Sequence, residues 1–246
     1  VILAGGGKTY PAYGSDGSLF KVARQLGYTV IEPVPVAVPL IVKDKLCQSL
    51  QGQKISAAVR PVIEGKAGME VEGELLFAQY GLSGTAILDV SESISLALNR
   101  DKKTDAAVQI DLVPFIKRGQ LKEELAKRLK AGWKASEMLT GILPNRFSLA
   151  LKNLFSEGDL TSAVSTLKGL QLKVSGTRGW NEAEFTSGGI DINQVNPATL
   201  ESRIHGGVFF AGEILDVNGG RGGYNLAWAW ASGLLAGRRS LPSSQP

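Results

Sequence analysis

The spacing of apolar and polar positions changes character twice along this chain. Val1 to Ala4 is a short β-branched run that reads as a buried parallel strand, followed by Gly5-Gly6-Gly7 and a loop through Thr9, Tyr10, Pro11 and Gly14. Ser15 or Asp16 is placed to cap a helix with Leu19, Val22, Ala23 and Leu26 at helical spacing, and Gly27 stands where a left-handed terminal residue belongs. From Pro33 the texture becomes that of short strands: "PVPVAVPLIV" breaks any helix, and "KISAAVRPVI" and "GMEVEGELLF" alternate as antiparallel strands around the turn Glu64 to Gly68. "AAVQIDLVPF", "LQLKVSG" and "EAEFTSGG" predict further strands, and one helix is expected after Ser83. Within this region, residues 120–170 read as helical. Leu121, Leu125 and Leu129 recur every fourth residue, with Glu123–Lys127 and Glu124–Arg128 one turn apart on the exposed side. Near the carboxyl end the first style returns: a strand at Val208 to Ala211, a glycine-rich junction, and a helix from about Tyr224 to Ala236 stopped by Gly237.

Both ends therefore read as strand, glycine loop and helix. The expected fold class is α/β plus β-barrel, with a partial Rossmann-like domain built from residues 1–32 and 186–246. Residues 33–185 form the expected insert, a β-barrel carrying a small helical subdomain at about 119–170. The chain opens inside a strand and without Met, which points to the carboxyl-terminal portion of a longer polypeptide.

In a parallel α/β sheet, ligands sit beyond the carboxyl ends of the strands, where glycine allows close approach and helix starts present free N–H groups. Gly222, Gly223, Tyr224 and Asn225 form such a helix start. Glu213 and Asp216 beside it are poor neighbours for phosphate and good acceptors for hydroxyls, so the junction suits a nucleotide carrying a polyol. The same glycines also serve backbone geometry alone, and Ala227, Ala229, Ala231, Ser232 and Gly233 fit close helix–sheet packing equally well.

Composition narrows the rest. The 246 residues carry 27 Lys and Arg against 23 Asp and Glu, a net charge of +4 scattered without a long basic run, so no nucleic-acid partner is expected. One cysteine, Cys47, and one histidine, His205, leave no disulfide and no zinc set, and no apolar run is long enough for a bilayer; a cytoplasmic protein is expected, with no membrane partner. His205 reads as a loop residue, Cys47 as a buried thiol, and Tyr80 and Lys8 as side chains with reach but no distinctive pattern.

"VILAGGGKTYPAYGSDGSLFKVARQLGYTV", "FAQYGLSGTAILDVS", "TSGGI" and "VFFAGEILDVNGGRGGYNLAWAWASGLLAG" together resemble the aminoacetone oxidase and bile-acid dehydroreductase group of bacterial FAD proteins, nearly end to end. The last motif is the most specific; the first reads "AGGG" where the group has "ATGG". The resemblance implies FAD as cofactor, with Gly212 and Glu213 at the ribityl chain. It places Gly222 to Leu226 (Gly222, Gly223, Tyr224, Asn225, Leu226) at the pyrophosphate or the pyrimidine edge, with Asp216 nearby. Gly5 and Gly6 belong to the first loop, Thr9, Tyr10 and Pro11 lie by the isoalloxazine, and Gly188 lies where the chain returns from the insert. It also implies an amino-terminal G-x-G-x-x-G unit that no segment of this chain supplies.

The function expected from this resemblance is an FAD-dependent oxidoreductase passing hydride through flavin N5 to or from a small organic substrate, with NAD(P)H or oxygen as redox partner. The helical block is its lid, and no catalytic side chain is singled out. The alternative is a non-catalytic β-barrel interaction module with vestigial flavin segments.

Overall fold

A computed structural model of the protein describes residues 1–156 and 158–240. It is a mixed α/β structure of two compact units, Val1–Val38 with Arg178–Pro246, and Pro39–Thr177. The amino-terminal segment gives β1 (Ile2–Leu3), α1 (Ser18–Gln25) and β2 (Val30–Val36). The second unit runs through β3 (Leu40–Ile41), α2 (Lys45–Ser49), β4 (Lys54–Ile63), β5 (Lys66–Ala67), β6 (Val71–Ala78), β7 (Gly81–Ser83), α3 (Thr85–Ser95) and β8 (Ala106–Asp111). It continues with α4 (Arg118–Lys130), α5 (Asn145–Ala150), α6 (Leu160–Leu167), β9 (Leu170–Lys173) and β10 (Gly176–Thr177). The chain then returns to the first unit as β11 (Phe185–Ile190), β12 (Phe209–Phe210) and α7 (Tyr224–Ser240). Among the described residues, no helix is long and apolar enough to cross a membrane.

In the first unit β1 pairs with β12 in parallel, Ile2 opposite Phe209 and Leu3 opposite Phe210. The expected burial of this opening strand does not hold: Val1 is 79% and Ile2 40% exposed, because β12 is the only strand paired with β1 among the described residues. The antiparallel pair β2–β11 is the unit's second sheet, and it keeps residues 33–38 and 178–185 with the flanks rather than with the insert. Of the stripe expected on α1, Ala23 is buried and Leu19 packs against the core and over Gly5, whereas Val22 and Leu26 are exposed and Phe20 is buried in their stead. Asp16 accepts from the Ser18 N–H at the helix start, and left-handed Gly27 (φ 87°) ends it. Gly237 does not stop α7, which continues to Ser240 with Ala236 buried beneath it.

The second unit holds one eight-stranded sheet in the order β10-β3-β7-β6-β4-β8-β9, with β5 beside β4. The turn between β4 and β6 is tightened by left-handed Glu64 and Gly65, which let β5 fold straight back on β4. Its two end strands come from one stretch of chain, for Leu170–Lys173 pairs with β8 and Gly176–Thr177 pairs with β3. Helix α3 and the helices α4 to α6 cover a core that includes Phe77 edge-on against Phe147, ring centroids 5.6 Å apart. Leu121 and Leu125 of α4 are fully buried as their spacing predicts, whereas Leu129 is 43% exposed near the helix end. Of the two expected pairs on α4, Glu124–Arg128 forms at 2.8 Å.

Candidate functional site

The glycine junctions of the first unit converge on Glu213. This residue sits in a 3-10 turn, Gly212–Ile214, directly after β12. Its Oε2 accepts the Gly7 N–H at 3.1 Å and its Oε1 accepts the Thr186 N–H at 2.6 Å. Thr186 in turn takes the Lys8 N–H on its hydroxyl at 2.8 Å. Burial raises the Glu213 carboxyl above its ordinary value, opposed by the Thr186 and Gly7 N–H groups, which favour the charged form. A carboxylate thus ties the loop after β1, the strand β11 and the turn after β12 into one knot.

Gly7 is the glycine that this knot demands. A Cβ there would stand 2.2 Å from Thr186 Oγ1 and 2.7 Å from Glu213 Oε2, so any larger residue breaks the arrangement. Sequence reasoning singled out Gly5 and Gly6 and passed over Gly7, because only the fold brings residue 213 to the loop. Gly188, at φ 109°, forms a bulge in β11 against the backbone of Ile31 to Pro33 and donates its N–H to Asp216 at 3.0 Å. Both acids of the junction are therefore engaged with β11.

Gly212 is buried at φ 77°. It donates to the Ser232 hydroxyl at 2.8 Å, and its carbonyl accepts from the Trp228 indole at 3.2 Å. Ser232 and Trp228 anchor α7 to the turn, a role that the sequence showed only as small-residue packing. Asn225 closes the loop before α7: its amide accepts from Gly219 N at 2.8 Å and donates to Gly219 O at 3.0 Å.

These elements enclose a cleft of about 390 Å³ lined by Glu213, Gly222, Gly223, Asn225, Leu226 and Ala229, with the Arg221–Glu184 ion pair (2.8 Å) at its wall. Five of the expected cofactor residues thus share one cleft. Gly222 and Gly223 are exposed there, and a Cβ on Gly223 would meet nothing within 4 Å, so the start of α7 presents bare backbone. Tyr224 is exposed and packs against Gly219. Thr9 is buried, while Tyr10 is 45% exposed in the left-handed region (φ 52°) and donates its N–H to Trp180 O at 3.1 Å; Pro11 opens the following 3-10 turn. Lys8 lies over the Trp180 ring at 4.8 Å. Neither Thr9, Tyr10 nor Pro11 lines the cleft.

The remaining candidates are structural. The exposed His205 ring meets Leu26 O at 2.7 Å and stands edge-on to Tyr28, whose hydroxyl donates to Ser202 at 2.6 Å. Cys47 is fully buried, and burial first, then Asp44, pushes its thiol up to about 12. Among the described residues no group of three His, Cys, Asp or Glu is placed to hold a metal ion.

Over 251 residues the chain is 35% identical to a 3-dehydro-bile acid delta(4,6)-reductase of Clostridium scindens, covering 97% of this chain and 61% of that protein. It is 33% identical to a ribosomal RNA dihydrouridine synthase of Escherichia coli and 30% to one of Haemophilus influenzae, in each case covering 94% of this chain and 58% of the relative. The chain thus spans about three fifths of the length of the curated relatives it matches. The family model for the HI0933-like protein Rossmann domain matches residues 1–239, and the chain belongs to that flavoprotein-type family.

Proposed function

We propose that this chain forms part of an FAD-dependent reductase that saturates a carbon–carbon double bond conjugated to a carbonyl. The observation that carries the reading is the cleft at the start of α7, where Glu213 meets the bare backbone of Gly222 and Gly223. The donor set fits a flavin. Each Glu213 oxygen accepts one N–H and keeps a lone pair for a ribityl hydroxyl, and unshielded N–H groups at a helix start suit a carbonyl or phosphate oxygen. Gly212, Glu213, Asp216 and Gly222 to Leu226 would hold it, with Gly5, Gly6, Thr9, Tyr10, Pro11 and Gly188 shaping the neighbouring loops. When bound, the flavin supplies hydride.

The protein's own part is to hold that group in a fixed pose. Glu213 fixes the loop that carries Lys8 and Thr9, and Ser232 with Trp228 locks the turn that carries Glu213, so the cleft wall has little freedom to relax. The relatives' names supply the substrate class. A delta(4,6)-reductase acting on a 3-dehydro steroid and a synthase of dihydrouridine both reduce an alkene activated by a carbonyl. Two of those names contain RNA, which withdraws the expectation that no nucleic acid takes part. As part of the same proposal, the sheet of the second unit closes into a barrel through the stretch 170–177, whose two halves pair with β8 and β3.

The test is flavin titration, followed by quenching of flavin fluorescence, of the protein carrying this chain and of its Ala229→Leu variant, which adds bulk to the cleft wall without straining left-handed Gly222 and Gly223. The side chain added in the cleft is expected to weaken FAD binding at least about tenfold, the cost of one lost charge-assisted contact. Unchanged affinity overturns the placement.

A further inference from the structure

The helical block of the second unit concentrates the protein's charge. Residues 117–134 carry seven Lys and Arg against two Glu, a net +5, while the whole chain has a net charge of only +4. Everything outside this one segment, α4 with its flanks, is therefore close to neutral. The partners of these cations leave the charge standing. Arg118 donates to the Ser165 hydroxyl at 3.0 Å and Lys122 to the Thr161 hydroxyl at 2.9 Å. Among the described residues, Glu124 with Arg128 is the segment's one ion pair. Lys127, Lys130 and Lys134 are exposed.

An aromatic ring stands within the cluster. Trp133, 40% exposed, follows α4 and carries the Arg128 guanidinium 4.7 Å from its ring centroid. Arg128 is itself fixed by Glu124 and by the carbonyls of Met138 and Thr140, at 3.0 and 2.7 Å. The ring is thus held in place by a clamped cation. A second exposed aromatic, Phe115 at 64%, lies beside Lys117 and Arg118 at the other end of a helix roughly 20 Å long. Free cations with an exposed, immobilised aromatic ring are what an unpaired nucleic-acid strand requires: charge for its phosphates and a flat face for its bases.

We propose that the α4 end around Trp133 is a docking surface for single-stranded RNA. The choice rests on the proposed reduction and takes its uracil case, because of the two substrates in the relatives' names only RNA carries a row of phosphates for these cations. Uridine reduction within a strand needs grip on the strand itself, which a cleft of 390 Å³ does not give.

The experiment measures binding of a labelled single-stranded oligouridylate to the intact protein by fluorescence anisotropy across a salt series, without flavin, so that it succeeds or fails independently of the cofactor assignment. The expected result is salt-dependent binding whose log–log slope shrinks by about 2 in Lys127→Ala/Lys130→Ala/Lys134→Ala, because each phosphate contact on a single strand contributes about 0.7. Trp133→Ala is expected to weaken binding about tenfold through loss of one stacked base. All four positions are exposed, so an unchanged thermal transition verifies that each variant folds. Affinity and slope unaffected by both variants, or binding to phosphatidylglycerol vesicles and not to RNA, overturns the proposal.

Discussion

In residues 39–177 the buried apolar side chains form one continuous cluster of 31 residues, from Leu40 to Val174. The flanking unit, with Phe209, Phe210 and Ile214 at its centre, gathers only 12. It also shows most of the large apolar side chains that face solvent. On α7 alone Tyr224, Leu226, Trp230 and Leu234 are each more than 60% exposed, and Leu226, Trp230 and Leu234 follow one another at four-residue spacing on one face. One unit is held by packing. The other adds to its smaller apolar core a set of hydrogen bonds at buried junctions, of which the Glu213 knot is the centre. The two stabilise different things: a packed core tolerates polar change at its surface, while a knot of three segments depends on single atoms.

The sharpest way to break this contrast is to hollow out the packed unit. Phe77→Ala removes a fully buried ring edge-on to Phe147 and is expected to cost about 3–5 kcal/mol in chemical denaturation, mostly from cavity and lost transfer energy. A loss under 1 kcal/mol would show that the core is loosely packed.

A smaller effect is expected in the knot. Glu213→Ala leaves the Gly7 and Thr186 N–H groups without their acceptor and is expected to cost about 2–3 kcal/mol. Its pH signature separates it from packing. The folded carboxyl titrates above its ordinary value of 4.5, so just above pH 4.5 the folded chain keeps a proton that the unfolded chain has released. Stability therefore declines as pH rises through that window and levels off above the folded pKa. In Glu213→Gln this slope should vanish from the denaturation midpoints, and its persistence would assign it to another group.

The smallest effect is expected at Trp230, 70% exposed. Trp230→Ser should shift stability by no more than about 0.5 kcal/mol while reducing self-association in sedimentation, because it removes the largest ring of an uncovered face. A stability loss as large as that of Phe77→Ala would mean that the α7 face is covered in solution.

How far the sequence revealed these features depends on the distance over which each is encoded. Periodicity located α4 well, since Leu121 and Leu125 speak for their own helix. It misplaced the end of α7, which runs on past Gly237 to Ser240. At the site, Glu213, Gly222 and Gly223 were legible as chemistry next to a helix start. Gly7, Thr186 and Ser232 were not, for their meaning lies in partners 206, 27 and 20 residues away. The charge on α4 was hidden for another reason. Its lysines and arginines are interspersed with other residues over 117–134, and a scan for runs sees no run.

The bond pair between Asn225 and Gly219 also bears on chemical ageing. Asn218-Gly219 is the dipeptide in which a backbone nitrogen most readily attacks the preceding side-chain amide, closing a succinimide and converting Asn to Asp or isoaspartate. Here that nitrogen is committed, donating to Asn225 at 2.8 Å while the Gly219 carbonyl is held at 3.0 Å. The nitrogen cannot turn into the attacking geometry without giving up its bond to Asn225. Folding thus acts as the preservative of this loop, and the chemical lifetime of the junction becomes a readout of how often Asn225 lets go.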